Sequence, residues 1–480
     1  MPSRARRPVV TLVSVALVPA LGLGALAWVA RQQAHQQAHP TTVAAPPDSV
    51  PGLLLPALLS PLLSVRRAPA VLAGDRRFDV LAASTASLAG AIDDTSCLSI
   101  ELNDQSLATH NNDIAVIPAS NLKLIVAAVA LDVLGAGTTF TTTVVGPAPV
   151  NGVIAGDVYL VGGGDPVLSE RWYMRATSNR KRPPLHATDV NALADALVAS
   201  GVTRITGKVL GDGGRYDDES YPPGWGNDIR AVSDGAPVGA LVINDSLATS
   251  GAQSNKPAAS AAAAFAGLLN DRGISVEGGS GTGTAPVGAA ILSSVTSATL
   301  IDVVNEMLAT SDNLTAEMLV KEVAHVGAQP GTRVAGLQAV TDRLVAWGVP
   351  MGGVVLTDGS GLSRDNRLTC AALAAVLRRG SATDAVGNGL ARGGQPGTTL
   401  ADSFQQAGLA GEVRAKTGSL GEVKALSGYF VIGSDEVAFV LILNGASATN
   451  YTASWDQLAA ALLAAAASPG SDALAPVVNP

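Results

Sequence analysis

Apolar residues fill Leu122–Leu134 at helical spacing, directly after Pro118-Ala-Ser-Asn121. That pattern predicts a buried helix with Ser120 as its N-cap. Upstream, residues 79–92 repeat at the helical period. Cys97–Leu102 and Gln105–His110 alternate with a period of two on either side of Asn103-Asp104, which predicts a β-hairpin leading into the Ser120 helix. Helical pattern returns from Thr299 to Trp347. Near the end, Leu426–Ile432 and Val437–Leu443 read as strands around the Gly433-Ser-Asp-Glu436 turn, after an extended stretch that carries Lys416. Ala453–Ala466 reads as a last helix.

Between Thr141 and Thr296 the texture differs. Short strand-like pieces, Val153–Val161 and Arg204–Leu210, alternate with Gly/Pro turns and one helix, Thr188–Ser200. A helix–strand unit covers Ala258 to Val276, with Gly273 as its predicted C-cap.

The chain begins with Arg4, Arg6 and Arg7 ahead of an uncharged run from Pro8 to Ala30. A basic end before such a run is a signal peptide or a membrane anchor, and either one exports the chain beyond Arg31. Ala25-Leu-Ala27 has the small residues of a cleavage site. Residues 31–75 are Gln/His-rich and then Pro/Leu-rich, a tether between membrane and folded body. Within it, His35 and His39 are expected to be polar filler and no metal site. Residues 467–480 form a Pro/Ala tail that is expected to be disordered.

Composition adds exclusions. The 480 residues carry a formal net charge of −8, with no basic footprint for nucleic acid. The two cysteines, Cys97 and Cys370, have no metal-ligand spacing; an exported chain could pair them, but sequence does not give their separation. Neither metal nor cofactor is called for.

The chemistry starts at Ser120 and Lys123, which share a helix face at i and i+3, the geometry of a nucleophile beside a base. A second Ser-x-x-Lys, Ser178-Asn-Arg-Lys181, sits in a polar, proline-ended stretch that reads as surface loop. Further along come Ser311-Asp-Asn313 and Lys416-Thr-Gly418. In that order the three motifs form the signature of penicillin-recognising serine enzymes. Ser120 and Ser311 are 191 residues apart, yet both must reach one reacting centre. The intervening chain must therefore leave the catalytic domain and return, which places an inserted region at 141–296. A Ser-His-Asp hydrolase finds little support, since the body beyond the tether has only His110, His186 and His325 and no Gly-x-Ser-x-Gly elbow. A β-lactamase-like hydrolase shares the motifs but needs a water-positioning carboxylate that the sequence does not identify. A catalytically silent wall-binding protein of the same fold would have been free to lose a motif, and all three are present.

The chain resembles the D-alanyl-D-alanine carboxypeptidase/endopeptidase family of low-molecular-mass penicillin-binding proteins. The likeness runs from about Ser84 to Ala465. It rests on the three motifs together with Gly163-Gly-Asp-Pro-Val-Leu168, Tyr221-Pro-Pro-Gly-Trp225, Pro237-Val-Gly-Ala-Leu-Val-Ile-Asn244 and Asp358-Gly-Ser-Gly-Leu-Ser-Arg364. The resemblance implies an α/β (α+β) catalytic domain of the β-lactamase/transpeptidase type, made from residues 76–140 and 297–466. Its five-stranded antiparallel sheet would be flanked by helices beside a helical lobe, with accessory domains inserted at 141–296. It also implies roles. Ser120 would be acylated by a peptidoglycan stem peptide or a β-lactam. Lys123 would take the serine proton, which requires a neutral amine, the form that burial and the charge of Lys416 favour. Ser311 would pass that proton to the leaving amine, Asn313 would hold a substrate amide, and Lys416 and Thr417 would bind the terminal carboxylate. Gly418 lies within that substrate-binding stretch, and the backbone N–H groups of Ser120 and Ser419 would meet the oxyanion.

Overall fold

The structure is a computed structural model that describes residues 69–175, 185–230, 235–325 and 330–468. The chain divides into two units, 1–62 and 63–480, and every described residue belongs to the second. The Pro8–Ala30 segment, His35, His39, the second Ser-x-x-Lys and nearly all of the tail lie outside the described residues. Among those described, no helix is long and apolar enough to cross a membrane.

The first helix, α1, spans Pro69–Ala91 and starts ten residues before the expected Asp79. The hairpin forms as expected, β1 at Cys97–Leu102 and β2 at Gln105–His110, with Asn103 and Asp104 both at positive φ. The central helix α2 covers Leu122–Leu134 and is buried almost all round, as a helix that is apolar on every face must be. Ser120 is not its N-cap. It lies in a separate 3₁₀ turn, Ala119–Asn121, and no side chain caps either helical segment.

The helical lobe continues with α3 at Leu300–Thr310, α4 at Asn313–Ala324, α5 at Arg333–Ala346 and α6 at Cys370–Leu377. The sheet then closes with β3 at Ala391–Arg392, β4 at Val413–Leu420, β5 at Val423–Ile432 and β6 at Asp435–Asn444, and α7 ends the fold at Tyr451–Ala466. Six strands form the sheet, in the order β3-β4-β5-β6-β1-β2, with every pairing antiparallel. Five are the expected ones; the sixth is the two-residue β3, too short for a period-two pattern to reveal.

Alternation along β5 sends Ala425 and Tyr429 to a core shared with α2 and the helical lobe. It sends Leu426 and Phe430 to a second core under α1 and α7. A disulfide joins Cys97, the first residue of β1, to Cys370, the first of α6, with 5.9 Å between Cα atoms.

Residues 141–296 supply none of these six strands. They build a five-stranded sheet in the order 280–282, 209–212, 158–161, 141–146, 290–296, and a three-stranded parallel sheet from 275–276, 204–205 and 153–154. The expected single strands Val153–Val161 and Arg204–Leu210 are each broken in two. The cause is local: each crosses between the sheets at a glycine, Gly156 or Gly207, and a third crossing uses Gly278. A Cβ on Gly207 would stand 2.3 Å from the Gly156 carbonyl carbon, and one on Gly278 would stand 2.6 Å from that of Gly207. At Gly207 and Gly278 the backbones stack too closely for any side chain, while Gly156 is favoured by its φ of +120°. Helices Asn191–Ala199 and Pro257–Asn270 cover these sheets, and Gly273 past the second helix has φ +81°.

Candidate active site

Three chain segments converge on Ser120. The first is its own turn, where Ala119 takes a positive φ of 46° although it is not glycine. The loop Asp358–Ser363 is packed against that turn: Gly361 has φ +84°, and a Cβ there would lie 2.0 Å from the Ala119 carbonyl oxygen. Strand β4 closes the other side. A Cβ on Gly418 would sit 3.1 Å from both Asn121 Nδ2 and the Pro118 carbonyl, and Asn121 Nδ2 donates to the Lys416 carbonyl at 3.1 Å. The glycine of Lys-Thr-Gly is thus the residue that lets the strand pass the nucleophile turn.

Lys123, one turn into the helical segment, is wholly buried. Its Nζ lies in hydrogen-bond contact with Ser120 Oγ at 3.0 Å, and donates to Asn313 Oδ1 at 2.7 Å and to the Ser360 carbonyl at 2.6 Å. Asn313 reaches it because Ser311 stops α3 in the left-handed region, at φ 66°, and Asp312 restarts the chain as the N-cap of α4, accepting from the Thr315 N–H at 2.7 Å. Ser-x-Asn is therefore a helix break that presents both polar side chains at the junction. Ser120, Ser311, Asn313, Thr417, Gly418 and Ser419 all line one open cavity of about 490 Å³.

Lys416 is buried beside this cavity, and its Nζ donates to the Thr417 carbonyl at 2.8 Å. Ser419 accepts from Lys424 Nζ at 2.6 Å, and that ammonium lies 4.9 Å from the centre of the Tyr451 ring. Among the described residues, no cluster of His, Cys, Asp and Glu could hold a metal ion.

Two buried carboxylates lie under the Asp358–Ser363 loop. Glu317 on α4 accepts from the Gly359 N–H at 3.0 Å and from the Ser360 N–H at 2.7 Å. Burial, and after it the charge of Asp358, push its carboxyl up to about 7, against the pull of those N–H donors. Asp358 accepts from the Gly361 N–H at 2.8 Å, Asn366 Nδ2 at 2.7 Å, the Ser363 N–H at 2.6 Å and Trp225 Nε1 at 2.9 Å. The sequence marks residues 358–364 as a motif without a role, and it does not single out Asn121, Glu317 or the Ser360 carbonyl. The available signal was a run of Asp, Gly and Ser, which builds tight turns and brings backbone close to backbone.

Comparison with known proteins identifies the family. The D-Ala-D-Ala carboxypeptidase 3 (S13) family matches residues 86–256 and 246–465. A D-alanyl-D-alanine carboxypeptidase of Actinomadura sp. strain R39 is 30% identical over 429 residues, covering 72% of this chain and 77% of that protein. A carboxypeptidase of Mycobacterium tuberculosis is 30% identical over 398 residues, covering 78% of this chain and 80% of its own. Among solved structures, penicillin binding protein 4 of Haemophilus influenzae superposes with a TM-score of 0.64 at 22% identity, over 75% of this chain and 93% of that one, and shares the fold. The same protein has also been solved as a complex with a β-lactam. With the family matching across most of its length, this chain belongs to the D-Ala-D-Ala carboxypeptidase 3 (S13) family.

Proposed function

We propose that this protein is a serine D-Ala-D-Ala carboxypeptidase/endopeptidase that acts on peptidoglycan stem peptides through an acyl-enzyme on Ser120 and is inhibited by β-lactams. The observation that carries this is the surround of Lys123 Nζ. The Asn313 amide oxygen and the Ser360 carbonyl can only accept. A neutral amine has two hydrogens, and these two acceptors can take them. Its lone pair can then turn to Ser120 Oγ at 3.0 Å, the arrangement that a general base requires.

The reaction follows from that arrangement. Ser120 Oγ bonds to the carbonyl carbon of the terminal D-Ala-D-Ala linkage while its proton passes to Lys123. The negative oxygen meets the backbone N–H groups of Ser120 and Ser419. The C–N bond then breaks, the leaving amine takes the proton by way of the Ser311 hydroxyl, and water hydrolyses the ester to restore Ser120. Asn313 contacts a substrate amide. Lys416 and Thr417 hold the terminal carboxylate, with the close passage at Gly418 setting their distance from Ser120. A carboxypeptidase acting on peptidoglycan works outside the cytoplasmic membrane. Residues 8–30 are assigned as the signal peptide or anchor that takes it there. Residues 141–296 are assigned as accessory domains inserted into the catalytic one, supported by their separate sheets.

Penicillin labelling of the full chain tests the assignment, followed by intact-mass measurement and peptide mapping. One penicilloyl group is expected, on the peptide that carries Ser120; Ser120→Ala abolishes it and Ser178→Ala does not. Label on Ser178, none on the folded wild type, or rapid release of hydrolysed penicillin would overturn the reading. Purified muropeptides then separate release of terminal D-alanine from opening of cross-links.

A further inference from the structure

The peptide unit joining Ser360 to Gly361 is hydrogen-bonded at both ends to ionisable side chains. Its carbonyl accepts from Lys123 Nζ at 2.6 Å, and its N–H donates to Asp358 Oδ1 at 2.8 Å. An amide whose N–H meets a carboxylate is polarised, and its oxygen becomes a stronger acceptor. In a buried site with little water to screen it, that effect reaches the group at the far end. We propose that Asp358 is a positioning residue for Lys123, acting through the Ser360–Gly361 peptide to aim its carbonyl at the amine and to strengthen that bond.

Three observations support it. Asp358 is wholly buried and gripped by four donors, so its orientation is fixed. The neighbouring amides of the loop are clamped independently by Glu317, which lies four residues after Asn313 on the same face of α4. Helix α4 thus offers one acceptor to Lys123 directly and fixes the loop that offers another. Finally, Asp358 Oδ2 is capped by the indole of Trp225, which belongs to the inserted residues and not to the catalytic segments. The insertion therefore reaches the base through three hydrogen bonds, linked by the Asp358 carboxylate and one peptide. Charged groups on the elements packed against Lys123 include Asp358 on the loop, Glu317 on α4 and Lys416 on β4.

The inference rests on Lys123 being the base, and it gives a sign that loosened packing would not. Asp358→Asn, compared in a Glu317→Gln background so that Glu317 cannot ionise in its place, removes negative charge that favours the ammonium form of Lys123. The acid limb of the penicillin acylation rate should then move to lower pH by about half a unit or more. Trp225→Phe leaves that charge in place and removes one of its donors, so the limb should move the other way. The measurement is acylation rate against pH for the full-length wild type, the Glu317→Gln background and both variants, with folding checked by circular dichroism. Opposite shifts support the proposal. An unmoved limb in folded Asp358→Asn, or shifts of the same sign in both variants, would overturn it. Should Asp358→Asn not fold, Trp225→Phe decides alone: an upward shift supports the proposal and an unmoved limb overturns it. A wild type that is not acylated on Ser120 at all would instead overturn the function proposed above.

Discussion

Asn313 Oδ1 lies 2.7 Å from Lys123 Nζ, across 190 residues of sequence. The contact closes the loop that motif order alone suggests, because it joins the second motif to the first by a direct bond. An amide oxygen here fixes one of the lysine hydrogens. Asn313→Ala would free the amine to rotate away from Ser120. A positioned general base is worth roughly a hundredfold or more in rate, so penicillin acylation is expected to slow by at least about tenfold. Stopped-flow acylation, with thermal denaturation to show that the variant is folded, checks this; an unchanged rate would remove Asn313 from the task of orienting the base.

The convergence of Ser120, Lys123, Asn313 and the Lys-Thr-Gly strand could be read from the sequence because side chains define these motifs, at spacings that secondary structure explains. The hairpin at Cys97–His110 was readable for the same reason, since its alternation survives in the buried pattern. The Ser360 carbonyl could not be read. Backbone carries its contribution, and any residue type supplies a carbonyl. Glu317 was hidden differently: a glutamate on an apolar helix reads as one polar position, and only the fold shows that it faces inward toward the loop. The turn at Ala119 was misread as a cap because serine before an apolar run usually is one. Here Gly361 packs against Ala119 and holds the turn in another conformation.

The bond between Cys97 and Cys370 closes a span of 273 residues. By the chain-entropy account, crosslinking so long a loop contributes at most about 5–6 kcal/mol, and loss of a native disulfide typically costs about 2–5 kcal/mol. Both cysteines are buried and belong to the core, not the cavity. Replacing both with serine should therefore lower the denaturant midpoint while leaving the acylation rate of the folded protein near that of the wild type. An unchanged midpoint would mean that the crosslink adds no stability.

Asp165 carries a pH signature. Burial raises its carboxyl to about 6 from 3.8, with the Thr188 side chain and the Val167 N–H pulling the other way. Its Oδ1 accepts from the Val167 N–H at 3.0 Å, while Oδ2 is buried with no hydrogen-bond partner among the described residues. In the folded state the proton is therefore held more tightly than in the unfolded chain. The contribution to stability is fully present below pH 3.8 and is lost as the pH rises through about 6. Asp165→Asn cannot ionise, so it should raise the melting temperature relative to wild type above that window and lose the advantage below it. Melting curves across the window decide it; a difference independent of pH would assign the effect to packing alone.

Lys416 presents the clearest division between structural support and recognition. It is buried on β4, and its Nζ donates to the carbonyl of the next residue, Thr417. Removing it will disturb the strand whatever else it does, so a plain loss of activity would not establish a role. The proposed role is more specific: the ammonium and the Thr417 hydroxyl hold the free carboxylate of the terminal D-alanine. A hydrogen bond to a charged group contributes about 1.5–3 kcal/mol, a factor of roughly ten or more. The informative comparison uses two peptides that differ only at the C-terminus, one with a free carboxylate and one with an amide. Wild type should prefer the carboxylate by at least about tenfold in kcat/KM, and Lys416→Ala should lose most of that preference while its activity on the amide falls less. Structural damage would lower both peptides together and leave the ratio in place. A preserved ratio would take Lys416 out of carboxylate recognition and leave it as support for the strand beside Ser120.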